Sequence, residues 1–244
     1  MNGGSRDFQD AAARARRILH GRRQGRRLRQ GQKAVLAAGL ESLAVALPEA
    51  GRADPAGWFG RRYRAWWLEV GFGGGEHLAW QAARHPDVGL LGAEPFVNGV
   101  VSLLGHVGRA GLANVRIHPD DARDLIDALP DATIARAFVL HPDPWPKARH
   151  HKRRFVAADN LDRLARVMAD GAELRLATDD LDYLDWMLEH TLAHPGFRWL
   201  ARGPEDWRVR PVDWPPTRYE EKAVAAGRRA WYLRFERRAR PSAG

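Results

Sequence analysis

Four carboxylates fall at or just past the ends of apolar runs: Glu69 in WWLEV, Glu94 after VGLLGA, Asp121 after VRIHPD and Asp143 after FVLHP. Glu69 stands two residues before Gly71-Phe72-Gly73-Gly74-Gly75, and Glu94 lies 23 residues beyond Gly71. A carboxylate inside the first strand suits a cationic ligand group. One at the end of the next strand commonly accepts hydrogen bonds from ribose hydroxyls. The glycines let a strand turn sharply into a helix and let a ligand lie against the backbone. A dinucleotide fingerprint would need glycine where Glu76 stands, and no G-x-x-x-x-G-K-[ST] phosphate loop occurs. A ligand with a ribose, a positive charge and no phosphate fits S-adenosylmethionine, with Gly71, Gly73, Gly75, Glu69 and Glu94 around it. The plain alternative is a glycine-rich connector. Past the third strand, Asp121 is assigned to an adenine amino group and Asp120 to the cap of the helix from Ala122 onward.

The fourth apolar run ends in His141-Pro142-Asp143-Pro144-Trp145-Pro146-Lys147, with three prolines in five positions. Proline fixes φ, so this loop is stiff. In an open α/β sheet, ligands sit at the carboxyl ends of strands. Asp143 then faces the reacting centre and Trp145 can stack on a base; the alternative is a rigid turn that Asp143 caps. Arg149, His150, His151, Lys152, Arg153 and Arg154 follow at once. Such a run binds phosphates without reading sequence, or is simply a solvated face. The two histidines lack a third ligand at sensible spacing, so no metal site is expected. Asp179 closes a fifth apolar run, and Thr217-Arg218-Tyr219-Glu220 follows a Pro-rich stretch. Asp179 and Glu220 can both accept from guanine, at N1–H and the exocyclic amine, whereas adenine has no donor at N1. TRYE also reads as a capping box. Tyr183 and Met187, one helical turn apart, are expected in the core.

The elements that must hold these residues alternate. Strands are expected at 66–70, 88–94, 115–118, 134–140, 173–178 and 230–236. Helices are expected near 76–85, 98–110, 122–129, 153–169 and 181–193. That order predicts a parallel sheet with helices on both faces. A helix through Val35, Leu36, Leu40, Leu43 and Leu47 precedes it, then a Pro- and Gly-rich linker from Pro48 to Gly60. The chain has 244 residues, 45% hydrophobic, enough for one sizeable domain from about 60 to 240, preceded by an arm and helix over 1–50. It has no cysteine, which excludes a disulfide framework and thiolate metal sites. No 18-residue apolar run and no secretory h-region are present, so neither a membrane nor export is expected, and the cytoplasm is the compatible compartment.

The net charge is +9. Residues 11–40 hold nine of the 39 basic residues (Arg14, Arg16, Arg17, Arg22, Arg23, Arg26, Arg27, Arg29 and Lys33) and no acid; the 30 left match the 30 acidic residues. The excess is therefore a localised arm. Its default partner is RNA or DNA; a solubilising tail and an organelle transit peptide are the other readings.

The stretches LEVGFGGGEHL, GAEPFVNGV, DDARDL, PDPWPKARHHKRR, LATDD, TRYEEKAVAAG and WYLRFER, in that order over about residues 26–237, resemble the bacterial tRNA (guanine-N7-)-methyltransferases. The proline-tryptophan loop with its basic run is the specific part; GFGGG alone is weak. The resemblance implies a Rossmann-like class I methyltransferase with a mostly parallel seven-stranded sheet, moving a methyl group from S-adenosylmethionine to N7 of guanine 46 in the tRNA variable loop. It implies Glu69, Glu94, Asp121 and Asp143 at the methyl donor, with Asp143 also catalytic. Lys147, Asp179, Thr217, Arg218, Tyr219 and Glu220 would hold the substrate, and Arg149 to Arg154 and the arm stretch Arg26 to Gln32 would meet RNA. The chain departs from the family pattern at His141, where a large apolar residue is usual, at Pro146, and at Gly74, often Asn. Monomer and homodimer both stay open. The competing reading is an RNA-binding module that holds a nucleoside without transferring a methyl.

Overall fold

The computed structural model describes residues 18–216, 220–221, 225 and 227–240. The expectations for Arg14, Arg16, Arg17, Thr217, Arg218 and Tyr219 lie outside the described residues.

The apolar run before the glycines forms β1 (Ala65–Val70), buried from Trp67 to Val70. Gly71, Gly73 and Gly75 then take positive φ, which turns the chain into α3 (Glu76–Arg84). Ahead of this unit lie α1 (Gln30–Leu43) and α2 (Pro55–Phe59). After it come β2 (Val88–Ala93), α4 (Val97–Ala110), β3 (Val115–His118), α5 (Ala122–Ala128) and β4 (Ile134–Leu140). A 3-10 helix (Ala148–Arg153) leads to α6 (Ala158–Val167), β5 (Met168–Thr178), α7 (Leu181–Ala193), β6 (Phe197–Trp199), α8 (Glu205–Arg208) and β7 (Trp231–Arg237). The seven strands lie in the order β3-β2-β1-β4-β5-β7-β6. β1 to β5 pair in parallel, and β7 runs antiparallel to both β5 and β6. The mostly parallel seven-stranded sheet is therefore present.

Alternate residues along each strand feed two cores, as the two-residue period of a strand requires. Leu68, Val70, Leu91, Ala93, Val139 and Leu176 pack with α5, α6 and α7. Trp67, Leu90, Val115, Ile117 and Phe138 pack with α3, α4 and the Leu36, Leu40 and Leu43 face of α1. Glu69 shares its face with Trp67, so it enters the α3 side. The switch point lies between β1 and β4: connections from the two strands leave in opposite directions, which opens a crevice at their carboxyl ends. Among the described residues no helix is long and apolar enough to cross a membrane.

Four expectations change. The first helix stops at Leu43, short of Leu47, because Ala44 bridges to Ile117 and the Val45 N–H donates to the Ile117 carbonyl (2.9 Å). The expected linker contains α2, whose start Asp54 caps through the Ala56 N–H (3.0 Å). The helix expected over 153–169 is broken, with a 3-10 turn ahead of Arg154 and regular helix only from Ala158. β6, three residues long, is an addition, and it encloses β7. It pairs with the end of β7, Phe235 to Arg237, where Arg237 is buried, while Tyr232 is buried against Trp214 on the face opposite Leu233 and Phe235.

Candidate active site

One cavity of about 990 Å³ opens at the switch point. Glu69, Gly71, Gly73, Glu94, Asp121 and Asp143 all line it. They arrive from the carboxyl ends of β1 to β4 or the turns after them: Glu69, Gly71 and Gly73 from β1, Glu94 from β2, Asp121 from β3 and Asp143 from β4. A Cβ placed on Gly71 or Gly73 would meet no protein atom within 4 Å, so both present bare backbone to open space. Gly75 differs from its expected role. It does not line the cavity, and a Cβ there would lie 2.5 Å from the Leu103 Cβ, so its smallness serves the packing of α3 on α4.

Glu94 is 7% exposed and accepts from the Gly73 N–H (2.7 Å) and the Phe96 N–H (2.9 Å). Burial pushes its carboxyl above the usual range, against these two N–H groups; Asp143 and Glu69 push the same way as burial. The mutual repulsion of these acids is the electrostatic sign of one shared site with room for a cation. Glu69 is 3% exposed and bonded through Oε2 to His77 Nδ1 (2.7 Å). Asp143 is exposed at the cavity mouth and makes no hydrogen bond or ion pair among the described residues. Around it the backbone is strained: His141 and Trp145 take φ of 49° and 47°, the left-handed region that side chains rarely adopt. A stiff loop in that state holds a free carboxylate toward the cavity.

Asp121 takes the cap expected of Asp120 and keeps its place at the cavity. Asp121 caps α5 by accepting from the Arg123 N–H (3.0 Å), and Asp120 accepts from the Asp121 N–H (2.9 Å). The Asp121 carboxylate also grips the Arg123 side chain through both oxygens (3.0 and 2.9 Å) while lining the cavity. The cap falls to Asp121 because it is the last residue before the first helical turn, where an acceptor reaches the second N–H.

Arg154 also departs from expectation. It is 2% exposed, donates from Nε to the Pro144 carbonyl (2.8 Å), pairs with Asp182 and lies over the Tyr183 and Trp186 rings (4.9 and 5.1 Å). It pins the proline loop from behind and is not a surface phosphate contact. His151 likewise turns inward, 3.4 Å from Asp182. Arg149 and Lys152 stay exposed, while Arg153 lies over the Trp145 ring (5.0 Å). Arg153 lowers the affinity of His150 for a proton, after burial itself. Tyr183 and Met187 are fully buried in the core. Among the described residues no cluster of His, Asp or Glu has the make-up of a metal site.

Lys147, Asp179 and Glu220 stand outside the cavity lining. Asp179 lies 3.6 Å from His141 and 2.8 Å from Arg228, and these hold its carboxyl below the usual range, His141 foremost. Glu220 accepts from the Tyr232 hydroxyl and lies 3.6 Å from Arg210. Lys147 is exposed at the start of the 3-10 helix. His141 lines the cavity, so it links this outer group to the inner one.

Three contributors escape sequence reasoning. Ile18 to Arg22, from the arm, line the cavity mouth. The arm is moored there by Asn98, which accepts from the Gly25 N–H (2.8 Å) and donates to the Arg26 carbonyl (2.9 Å). Arg123 is the second, legible only as an opposite charge two residues from Asp121. His77 and Gln81 are the third; polar residues four apart on the buried side of α3 were their one signal.

The residues present fit the methyl donor inferred from sequence. The cavity has the size of a nucleoside ligand, bare glycine backbone on one wall, carboxylates for a ribose and a cation, and no phosphate loop.

A family model described as "Putative methyltransferase" matches residues 64–233. A tRNA (guanine-N(7)-)-methyltransferase of Rhodospirillum rubrum is 51% identical over 225 residues, covering 91% of this chain and 88% of the relative. One from Paracoccus denitrificans is 52% identical over 229 residues, covering 91% and 96%. In fold, the chain is similar to a 16S rRNA (adenine(1408)-N(1))-methyltransferase of Catenulisporales acidiphilia solved with SAM. The TM-score is 0.54 at 18% identity, covering 82% of this chain and 98% of that one. Coverage at this identity, together with the strand-end acids in one crevice, places the chain in the tRNA (guanine-N(7)-)-methyltransferase family.

Proposed function

We propose that this protein transfers a methyl group from S-adenosylmethionine to N7 of guanine 46 in the variable loop of tRNA, in the cytoplasm. The observation that carries the reading is the meeting of Glu69, Glu94, Asp121 and Asp143 at one cavity on the switch point. Glu94 would accept from the ribose hydroxyls, Asp121 from the adenine amine, and Glu69 would face the cationic amino-acid end. When bound, the cofactor supplies a methyl group on a sulfonium sulfur, which is already a strong electrophile.

Guanine N7 carries a free lone pair, so no proton has to leave before it attacks. Glu69, Glu94 and Asp121 would hold the donor so that this methyl group passes to N7, with the leaving electron pair staying on sulfur. What this chain contributes is positioning and exclusion of water. Asp143 orients base and sulfonium on a loop that Arg154 braces from behind. Asp179 and Glu220, with Lys147, Thr217, Arg218 and Tyr219, hold the guanine. Arg149, His150, Lys152, Arg153 and the arm over residues 1–50 face the RNA backbone, while the domain over 60–240 carries the transfer site.

Incubation with labelled methyl donor and unmodified tRNA, followed by nucleoside digestion, tests the reading. Label in 7-methylguanosine is the expected result, absent from tRNA lacking guanine 46. Calorimetric binding of the methyl donor without label in any tRNA nucleoside would instead make the chain a binding module.

A further inference from the structure

We propose that His77, held by Gln81, is a positioning residue that aims the Glu69 carboxylate at the methyl donor and ties the donor site to the segment leading into Thr217–Glu220. The proposal rests on the donor site described above.

Glu69, His77 and Gln81 are 3%, 3% and 0% exposed. A carboxylate that dry needs a partner, and His77 Nδ1 supplies it at 2.7 Å. The hydrogens follow from the far end of the chain of contacts. The Asp213 backbone carbonyl can only accept, so the Gln81 atom 2.9 Å from it is the amide nitrogen. The same nitrogen lies 3.1 Å from His77 Nε2 and gives its second hydrogen there. With Nε2 accepting, the ring proton belongs on Nδ1, and Nδ1–H points at Glu69. Each contact leaves one arrangement for the next. His77 is thereby fixed as a neutral donor to Oε2 of Glu69, and Oε1 has no partner among the described residues while Glu69 lines the cavity.

Two features speak against a merely structural role. Gln81 Oε1 is buried without a partner, a penalty that an apolar side chain would avoid. The far anchor is also not arbitrary. Asp213 belongs to the Pro-rich stretch before Thr217, and Arg175 (2.7 Å) and Arg136 (3.7 Å) hold its side chain to β5 and β4. Burial acts to raise the Asp213 carboxyl, but these arginines outweigh it and hold it below the usual range. The adjacent Trp214 is 5% exposed and meets the His77 ring edge-on at 6.3 Å. One path of contacts thus joins a residue assigned to the methyl donor to the stretch that precedes the residues assigned to the guanine.

The test is a double-mutant cycle read by calorimetry with S-adenosylhomocysteine, using His77→Phe, Glu69→Gln and the pair. His77→Phe should weaken binding about tenfold in the natural background and less than about twofold beside Glu69→Gln. His77→Asn, whose amide overlies Nδ1, should recover binding to within about threefold, with Tm measured for every variant. Gln81→Leu, which keeps the Glu69–His77 contact and removes the unpartnered oxygen, should raise KM for tRNA several-fold without lowering Tm. The proposal is overturned if His77→Phe binds normally, if it weakens binding equally in both backgrounds, or if Gln81→Leu leaves both affinities unchanged. Should His77→Phe not fold, Gln81→Leu and His77→Asn decide alone: a natural KM for tRNA in the first, or a loss of S-adenosylhomocysteine binding well beyond about threefold at unchanged Tm in the second, overturns it. If the natural protein binds no S-adenosylhomocysteine, the donor reading falls first and takes this one with it.

Discussion

The two halves of this site are built differently. On the inner side, between β1, β2 and β4, the acids are held in place yet keep capacity for a ligand: among the described residues Asp143 has no hydrogen-bond or ion-pair partner and Glu69 has one oxygen spare. On the outer side, the acids are already satisfied by their own chain. Asp179 faces His141 and Arg228, and Glu220 faces Tyr232 and Arg210. The inner half is preorganised for a small cation-bearing ligand. On the proposed reading, the outer half would exchange internal partners for those of an incoming base. A large RNA substrate, with many phosphate contacts to spend, is suited to drive that exchange.

The largest break in this contrast should come from Asp143→Asn. We expect a loss of about a hundredfold in kcat/KM, as when one oriented polar group leaves a transition state. On the proposed mechanism Asp143 orients and takes no proton, so the shape of the pH–rate profile should stay the same. A bell-shaped profile that disappears in the variant would identify it as a general base.

Next is Arg154→Met, which takes the Nε donor from the Pro144 carbonyl and leaves Asp182 with only His151 of the two cations beside it among the described residues. Asp182 is largely exposed, so water screens much of that loss. Chemical denaturation should show a loss of about 1–3 kcal/mol, together with lower kcat from a loosened proline loop. Unchanged stability would return Arg154 to the RNA-facing set.

Glu94→Gln should weaken methyl-donor binding about tenfold and remove a pH dependence from stability. The folded-state value of Glu94 is raised above the ordinary 4.5 by burial. Its contribution is full below that ordinary value and falls as pH rises through the raised one. The variant lacks this titration, but its amide nitrogen must face either the Gly73 or the Phe96 N–H, so its Tm should lie below that of the natural protein in acid and the gap should narrow toward neutral pH. Parallel Tm curves across that window would contradict the assignment.

The arm gives the smallest and most selective effect. Because Ile18 to Arg22 border the cavity, deleting the arm mixes two effects. Replacing exposed Arg26, Arg27 and Arg29 with Gln separates them. The slope of log Kd for tRNA against log salt should flatten by about 2–3 units, at about 0.9 per phosphate, with methyl-donor affinity intact. An unchanged slope would remove these residues from the phosphate contacts.

How much could be read beforehand tracks how local the signal is. The β1–glycine–α3 unit was legible because a buried run, a turn and a helical period are neighbours in sequence. The acids at successive strand ends were legible because the fold repeats that position. Arg154 was not: within RHHKRR it is chemically like its neighbours, and only burial against Tyr183 and Trp186 sets it apart. The helix expected over 153–169 failed for the same reason, since tertiary contacts outweigh the propensity of an Arg-rich stretch. β6 is too short to show a period. The His77–Gln81 link needed Asp213, 132 residues beyond Gln81, to have meaning.

The division between the halves is tested most directly by calorimetric titration of S-adenosylhomocysteine into Glu69→Gln, Glu94→Gln and Asp179→Asn. Binding should weaken about tenfold in the first two and stay within about twofold in the third. Natural affinity in both glutamate variants, or an equal loss in Asp179→Asn, would contradict a methyl-donor site built from the inner acids.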